Sequence, residues 1–307
     1  MTQSVYFGVP QSVHRQAMEE REGNDETRKW WLSQQFTYKA QPLFMPEDKR
    51  LVIWGLDDVL TQISPEIEDS YKRHTVTALR TLNPSKAIDE AEVHRLVGES
   101  YERNGLPSRD VAEAYGVNER RLMAETMALA AYHDVSLNPA GYGMSDQGIL
   151  NYFDESKKHG IAHIVVSSAS TNFATTCLHF MALTQYMRSI YGMDAGTSNS
   201  PNEVRIKKRD GERILSGILA SVPLERRGDV LVVDHGQEYL AAARQLGVKT
   251  AYVDLRQRHI STDPEAGTYA SAKAVFEKAL GIKDPGSHRD AHIYAEINMG
   301  AFQPSLA

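Results

Sequence analysis

The sequence predicts an α/β fold: a doubly wound, mostly parallel sheet with helices on both faces and an inserted all-helical cap. Residues 51–54 and Ile161–Val166 are short, continuous apolar runs, as expected for strands buried on both faces of a parallel sheet. Residues 63–144 between them have apolar positions at helical spacing and no strand pattern. An insert of about four helices between two strands of one sheet follows from this order.

Composition sets the class of protein. The chain has 307 residues, of which 41% are hydrophobic and 24% charged, which suits one or two globular domains. The net charge of −6 makes nucleic acid an unlikely partner, and the only strong basic cluster is at residues 205–209. The sequence therefore favours a globular protein whose partners are small molecules or other proteins.

Cysteine use and apolar run length bear on the compartment. Cys177 is the only cysteine, so neither an intrachain disulfide nor a thiolate zinc cluster can form. The sequence contains no apolar run of about 18 residues, the length of a membrane span. The N-terminus has no signal-peptide core and is too acidic for a usual transit peptide. These features predict a cytoplasmic protein with no membrane contact.

Residues 1–50 precede the first strand and form a predicted N-terminal extension. The segment is polar and carries the pair Trp30 and Trp31, which cannot both face one core stripe of a helix. Two interpretations stay open. The extension packs on the surface of its own domain, or it is an arm that binds a protein partner or a second copy through its aromatic residues.

The predicted cap, residues 63–144, has clear helix boundaries. Pro84 with Ser85, and Pro107 with Ser108, suit turns that open new helices. Gly116 ends the third helix, and Asn118 can cap the fourth.

The α/β core is predicted at residues 51–62 and 145–255. It continues after the cap with a helix at residues 148–159, the strand Ile161–Val166 and a long helix over residues 172–191. A further buried strand precedes Asp234, and Lys249–Val253 is the next one. Residues 256–307 form a C-terminal extension that completes the core, with a helix at 271–280 and a strand candidate at 291–297.

The candidate site lies where strands end, because ligands of open α/β sheets bind beyond the carboxyl ends of the strands. Gly55 and Asp57 follow the first strand, Ser167 and Ser168 follow the second, and Asp234 ends a later one. A hydroxyl in such a turn can donate to a phosphate oxygen, although the same residues also occur as helix caps. His163, inside an apolar strand, is predicted to be a satisfied core residue.

The stretch Gly55-Leu56-Asp57-Asp58-Val59 resembles the first motif of the haloacid dehalogenase (HAD) superfamily, an apolar strand followed by D-x-D-x-T/V. The resemblance implies that the first position is the aspartate nucleophile and the second aspartate the general acid/base. Here Gly55 stands in the place of the nucleophile, and Asp57 keeps the acid/base place. A glycine has no side chain that could attack a phosphorus atom.

The other motifs of the resemblance follow in order over about residues 51–255. Ser167 stands in the place of the phosphate-binding hydroxyl, with Ser168 beside it, and Lys208 in the place of the lysine before a helix, with Lys207 as the neighbouring alternative. Asp234 stands in the place of a magnesium-binding aspartate. The cap is similar to pyrimidine 5′-nucleotidase-type members at residues 100–106 and 112–117.

Two functions follow from this resemblance. The first is a catalytically degenerate HAD-like protein that acts as a binding or structural module and still binds a nucleotide or phosphate. The alternative is an active phosphomonoester hydrolase or nucleotidase that uses water activated by Asp57. We expect no cofactor, with Mg²⁺ needed only if activity remains and Asp234 at most a weak ligand. A protein partner or a homo-oligomer is expected through the terminal extensions. An unrelated nucleotide-binding fold lacks support, because no G-x-G-x-x-G or P-loop follows a strand.

Overall fold

The fold is described from a computed structural model. The residues that the structure describes are 43–63, 65–104, 107–130, 133–134, 142–144, 148–192, 207–253, 255 and 267–286. The predicted N-terminal arm up to residue 42 and the strand candidate at 291–297 lie outside them.

The strands in this part of the chain are short, with three to six residues each. They are β1 (Arg50–Trp54), β2 (Thr61–Ile63), β3 (Tyr142–Met144), β4 (Ile161–Val166), β5 (Met187–Tyr191), β6 (Val230–Asp234), β7 (Lys249–Val253) and β8 (Gly267–Tyr269).

The helices differ more in length. They are α1 (Pro65–Leu82), α2 (Glu90–Asn104), α3 (Arg109–Tyr115), α4 (Glu119–Ala130), α5 (Ile149–Lys158), α6 (Thr171–Phe180), α7 (Lys207–Leu219), α8 (Gln237–Gln245) and α9 (Ala272–Ala274), which continues as a π-helical turn, Val275–Ala279.

The main sheet has six strands in the order β5-β4-β1-β6-β7-β8, and all its neighbouring strands are parallel. Residues from β1, β4 and β6 on one face pack against α7 and α8, for example Ile53 with Leu215 and Leu240 in one cluster. On the other face Trp54 packs against Phe153 of α5 and Phe276 of the π-helical turn. This is the predicted doubly wound fold, with apolar strands covered on both faces.

The chain divides into two compact units. One unit contains α1 to α4, and the other contains the six-stranded sheet with most of its helices. Inside the helical unit, Val76, Leu79, Val93, Val111 and Leu122 share one apolar core. Gly116 ends α3 with a left-handed φ of 65°, and Asn118 accepts a hydrogen bond from the backbone of the first turn of α4, as their positions in the sequence predict.

Two features differ from the predictions. A two-stranded sheet pairs β2 with β3, which no strand pattern in the sequence had indicated. The helix predicted over residues 172–191 ends at Phe180, and β5 follows as an edge strand. Ala182 turns the chain with a φ of 56°, in a conformation usually given to glycine. Because the residues on both sides of Ala182 are apolar, the spacing of apolar residues does not reveal that the helix ends here.

The C-terminal segment contributes to the core of the sheet unit. Val275 and Phe276 are fully buried, and the predicted helix at 271–280 begins with a cap, because Ser271 accepts a hydrogen bond from the backbone N–H of Ala274. Among the described residues, none of the helices combines the length and apolar character that a membrane crossing requires.

Candidate functional site

Three of the predicted site residues meet at one edge of the sheet. Strands β4, β1 and β6 are neighbours in that order, with Trp54 opposite both Val165 and Val233. Gly55 continues β1 and donates its backbone N–H to the carbonyl of Val233, at 2.7 Å. Consequently Gly55, Ser167 and Asp234 follow adjacent strands at their carboxyl ends, as the sequence predicts for a site in this fold.

The loop after Gly55 is a tight turn in which several backbone N–H groups donate to the carbonyl of Leu56. The carbonyl of Leu56 accepts backbone hydrogen bonds from Leu60 and Thr61, at 2.9 and 3.0 Å. Asp58 has a positive φ of 54°, which an aspartate tolerates better than most residues. Asp57 is half-buried, and its carboxylate accepts a bond from the hydroxyl of Thr61 at 3.4 Å. The turn thus holds Asp57 close to the end of β1.

The side of Gly55 that a side chain would occupy is already filled by Asp234. A Cβ atom added to Gly55 would lie 2.6 Å from Oδ2 of Asp234 and 3.1 Å from a methyl group of Val59. Contacts below 3.0 Å essentially never occur for Cβ atoms. Any side chain at position 55 therefore requires the Asp234 carboxylate to move.

The Asp234 carboxylate is also fixed from its own strand. The residue is 2% exposed, and its Oδ1 accepts the backbone N–H of Gly236 at 2.8 Å. A Cβ atom on Gly236 would lie 3.1 Å from that oxygen. His235 points more to solvent, with its Nδ1 3.8 Å from Oδ1 of Asp234. The carboxylate therefore lies between the backbones of two glycines, Gly55 and Gly236.

The serines after β4 shape the turn into α6. The hydroxyl of Ser167 accepts the backbone N–H of Ala169 at 3.0 Å, and that of Ser170 accepts the backbone N–H of Phe173 at 3.2 Å. Ser167 is buried, whereas Ser168 is half-buried. A hydroxyl that accepts one bond still has its own proton, so the hydroxyls of Ser167 and Ser170 can each donate to a ligand oxygen.

The same turn is held from β5 by Gly192, which sequence reasoning missed. The backbone N–H of Gly192 donates to the Thr171 hydroxyl at 3.1 Å, and a Cβ atom on Gly192 would lie 2.1 Å from the backbone nitrogen of Thr171. Ser167 donates its backbone N–H to the carbonyl of Tyr191. A glycine directly after a strand is the sequence signal for such a close approach.

Lys208 lies in the first turn of α7, ahead of a break in the helix at Asp210, whose φ of −112° and ψ of 17° are not helical. It therefore precedes the longer, regular part of this helix, as the sequence predicts. Its side chain falls outside the described part of the structure. Helix α7 packs closely on α8, where Gly211 faces the ring of Tyr239. Tyr239 is buried, and its burial together with the charge of Asp234 raises the pKa of its phenol well above the usual value. Its phenol therefore stays neutral beside the site at any physiological pH.

The described residues do not fit the magnesium site that the fold implies. Mg²⁺ takes oxygen ligands in octahedral array, commonly from carboxylates. Gly55 supplies no carboxylate, and Asp234 has Oδ1 engaged by a backbone N–H and Oδ2 against the backbone of Gly55. Within the described ranges, no three His, Cys, Asp or Glu side chains are grouped so that they could hold a metal ion.

His163 has a structural role. Its Nδ1 accepts the indole N–H of Trp54 at 3.1 Å, and its Nε2 lies 2.7 Å from the hydroxyl of Ser156. The prediction that it is a satisfied core residue is confirmed.

Comparison with known proteins supports the fold. No family model and no curated protein matches the chain. Among solved structures, a HAD phosphatase from Thermococcus onnurineus aligns with a TM-score of 0.52 and 13% identity, covering 76% of this chain and 99% of that one. CbbY from Rhodobacter sphaeroides, solved in complex with phosphate, aligns with a TM-score of 0.51 and 15% identity, covering 74% and 96%. At this identity the similarity establishes the HAD-type α/β fold alone.

Proposed function

We propose that this protein is a HAD-type phosphatase fold that has lost catalysis and serves as a binding or structural module. The observation that carries the proposal is Gly55, which the motif resemblance puts in the place of the aspartate nucleophile. The space for a side chain there is filled by the Asp234 carboxylate, 2.6 Å from the position of a Cβ atom. The site therefore lacks the attacking group, and any side chain placed there would have to displace the Asp234 carboxylate.

The chemical consequence is large. A covalent phosphoryl transfer needs an attacking atom, and glycine offers none. In an enzyme whose catalytic residues act as a unit, removal of the nucleophile costs about 10⁶ in rate. Asp57, in the acid/base place, could assist only a direct attack by water. That reaction is the alternative function, and it requires Asp57 for turnover.

The ligand follows from the donors that remain. The hydroxyls of Ser167 and Ser168, with the backbone at the start of α6, suit a phosphate group or the phosphate of a nucleotide. The nucleotidase-like character of the cap sequence favours a nucleotide. Protein partners or a second copy would bind through the terminal extensions, and we propose a cytoplasmic location.

The catalytic part of the proposal is tested by a phosphatase screen. Phosphate release from a panel of nucleoside monophosphates and sugar phosphates is measured with millimolar Mg²⁺, for the natural protein, Asp57→Asn and Gly55→Asp. We expect no release above the buffer blank for any of them. Gly55→Asp stays inactive because its Cβ atom meets the Asp234 carboxylate. Release that depends on Asp57 would establish the alternative hydrolase instead.

The binding part is tested separately. Titration calorimetry with inorganic phosphate compares the natural protein with Ser167→Ala and with Ser221→Ala. The Ser221 hydroxyl donates to the nearby carbonyl of Ile218. We expect Ser167→Ala to weaken binding and Ser221→Ala to leave it unchanged. Equal affinities for the two variants would remove Ser167 from the site.

A further inference from the structure

We infer that Gly55, Asp234 and Gly236 form a metal-independent clasp that joins the carboxyl ends of β1 and β6. In this clasp Asp234 is a structural residue and has lost the role of a magnesium ligand. The inference rests on the proposed function only in taking Gly55 as the vacated nucleophile position. It assigns a new role to the carboxylate that the fold would otherwise use to bind metal.

The first support is the fit of the carboxylate between two backbones. A Cβ atom on Gly55 would lie 2.6 Å from Oδ2, and one on Gly236 would lie 3.1 Å from Oδ1. Each of the two oxygens thus faces a glycine that leaves room for it. A methyl group on Gly55 would displace the carboxylate, whereas one on Gly236 would require a shift of only a few tenths of an ångström.

The second support is the way the buried charge is held. Asp234 is 2% exposed, and a carboxylate so deeply buried is costly unless hydrogen bonds satisfy it. The backbone N–H of Gly236 donates to Oδ1 at 2.8 Å, next to the start of α8. Asp234 lies two residues before Gly236, the N-cap of α8, and a negative charge near a helix N-terminus is also favoured by the helix dipole. The chain itself therefore supplies stabilisation that a metal ion would otherwise provide.

The third support comes from the neighbouring strand. Gly55 donates its N–H to the carbonyl of Val233, the residue before Asp234, at 2.7 Å. The backbone hydrogen bond and the carboxylate contact therefore fix the same pair of strand ends. A rigid joint here keeps the turn at residues 56–61 in place without a bound ion.

The test is a double-mutant cycle on thermal stability. The melting temperature is measured for Gly55→Ala, Asp234→Ala and the double variant. We expect Gly55→Ala to lower it by on the order of 5 °C, because the added methyl group displaces the carboxylate. In the Asp234→Ala background the shortest contact of that methyl group is gone and only Val59, 3.1 Å away, remains close, so the loss falls to less than half.

The matched control is Gly228→Ala, since a Cβ atom at Gly228 would meet no atom within 4 Å. We expect this variant to melt within about 2 °C of the natural protein. If Gly55→Ala melts like Gly228→Ala, or loses the same stability with and without Asp234, the clasp does not exist. If Asp234→Ala does not fold, a melting temperature of Gly55→Ala equal to that of Gly228→Ala still refutes the clasp.

A metal titration separates this inference from the proposed function. Melting curves with and without millimolar MgCl₂ should coincide for the natural protein, since ligand binding to the folded state alone would raise the melting temperature. A rise that disappears in Asp234→Ala would overturn the clasp even if the protein is inactive. Phosphatase activity with no effect of Mg²⁺ on stability would overturn the proposed function and leave the clasp standing.

Discussion

The indole N–H of Trp54 donates a hydrogen bond to Nδ1 of His163 across the adjacent strands β1 and β4, at 3.1 Å. The Ser156 hydroxyl donates to the carbonyl of Phe153 and lies 2.7 Å from Nε2 of His163. Since Ser156 uses its proton on that carbonyl, the remaining proton of this contact belongs to Nε2 of the imidazole. His163 is thus a neutral ring with both nitrogens bonded, and its partner Trp54 directly precedes Gly55.

Acid should therefore destabilise the fold through His163. Burial, assisted by the nearby charge of Arg188, lowers the pKa of His163 from 6.5 to about 3. The unfolded state binds the proton first as pH falls, so this contribution to stability is complete above about pH 6.5 and is lost between about pH 6.5 and 3. The slope from this one group approaches about 1.4 kcal/mol per pH unit.

The measurement is the free energy of unfolding by urea from pH 7.5 to pH 4.5. His163→Gln should be less stable at pH 7.5, because Trp54 and Ser156 lose their partner, and should show a shallower decline on acidification. His159→Gln, at an exposed histidine, is the control and should keep the natural slope. Equal slopes for all three proteins would refute the role of His163.

The sequence predicted the sheet well because its strands are buried on both faces. Runs such as Ile161–Val166 are uninterrupted by polar residues except at His163, and each becomes a central strand. Edge strands carry a weaker signal. Met187–Tyr191 is only partly buried, so its pattern merged with the apolar end of α6 and was read as a helix.

The candidate site was predictable in position but not in geometry. The order of strands brings Gly55, Ser167 and Asp234 to one edge, and strand ends can be located from sequence. The approach of the Asp234 carboxylate to Gly55 depends on the relative positions of two strands distant in sequence. The same holds for Gly192 against Thr171, where a backbone contact rather than a side chain demands glycine.

Gly192→Ala should be among the most damaging substitutions of the sheet unit. Its Cβ atom would lie 2.1 Å from the nitrogen and 2.6 Å from the Cα of Thr171, and both are backbone atoms that cannot rotate away. We expect a loss of more than about 3 kcal/mol in the free energy of unfolding, or failure to fold. Gly98→Ala is the matched substitution in α2, where a Cβ atom meets nothing within 4 Å. It should stabilise the protein by about 0.5–1 kcal/mol, and equal effects at the two positions would contradict this account.

The ion pair of Asp48 with Arg188 should contribute more than the exposed pairs. Both guanidinium Nη atoms of Arg188 bond the Asp48 carboxylate, one of them at 2.6 Å, and Asp48 is 4% exposed at its side chain. Arg188 also donates to the carbonyl of Leu43, which ties the residues before β1 to the edge strand β5. Asp48→Ala leaves a largely buried cation without its carboxylate, at an expected cost of about 2–4 kcal/mol.

The comparison for that substitution is Glu90→Ala. Glu90 pairs with Arg80 at 2.6 Å, but both side chains are more than half exposed. Solvent screens such a pair, so its loss should change the free energy of unfolding by less than about 1 kcal/mol. Urea denaturation of the two variants at low salt gives both values. If Asp48→Ala lowers the free energy of unfolding by no more than Glu90→Ala does, the buried pair contributes no more to stability than an exposed one.

Asp134 should stabilise the packing of the N-terminal half of α1 within the helical unit. Its carboxylate accepts a bond from the Ser70 hydroxyl at 2.6 Å and lies 3.0 Å from Nε2 of His74, whose ring stacks on that of His133. These contacts join α1 to the chain beyond α4. In Asp134→Ala the Ser70 hydroxyl loses its acceptor and the half-buried His74 ring loses its carboxylate partner, and we expect a loss of about 1–3 kcal/mol in the free energy of unfolding. Hydrogen exchange should speed up for amides in the first half of α1.

The control for Asp134 is Asp69→Ala on the same helix. Asp69 is exposed and pairs only with Lys72 one turn away among the contacts described for it, so its removal should leave the exchange rates of α1 unchanged. Asp134→Asn keeps the size of the side chain and one carbonyl acceptor, and should lie between the alanine variant and the natural protein. If the amides of α1 exchange at the same rate in Asp134→Ala and Asp69→Ala, the stability of α1 depends on the apolar core of the helical unit alone. The bonds to Ser70 and His74 would then only follow from the packing of α1 on α4.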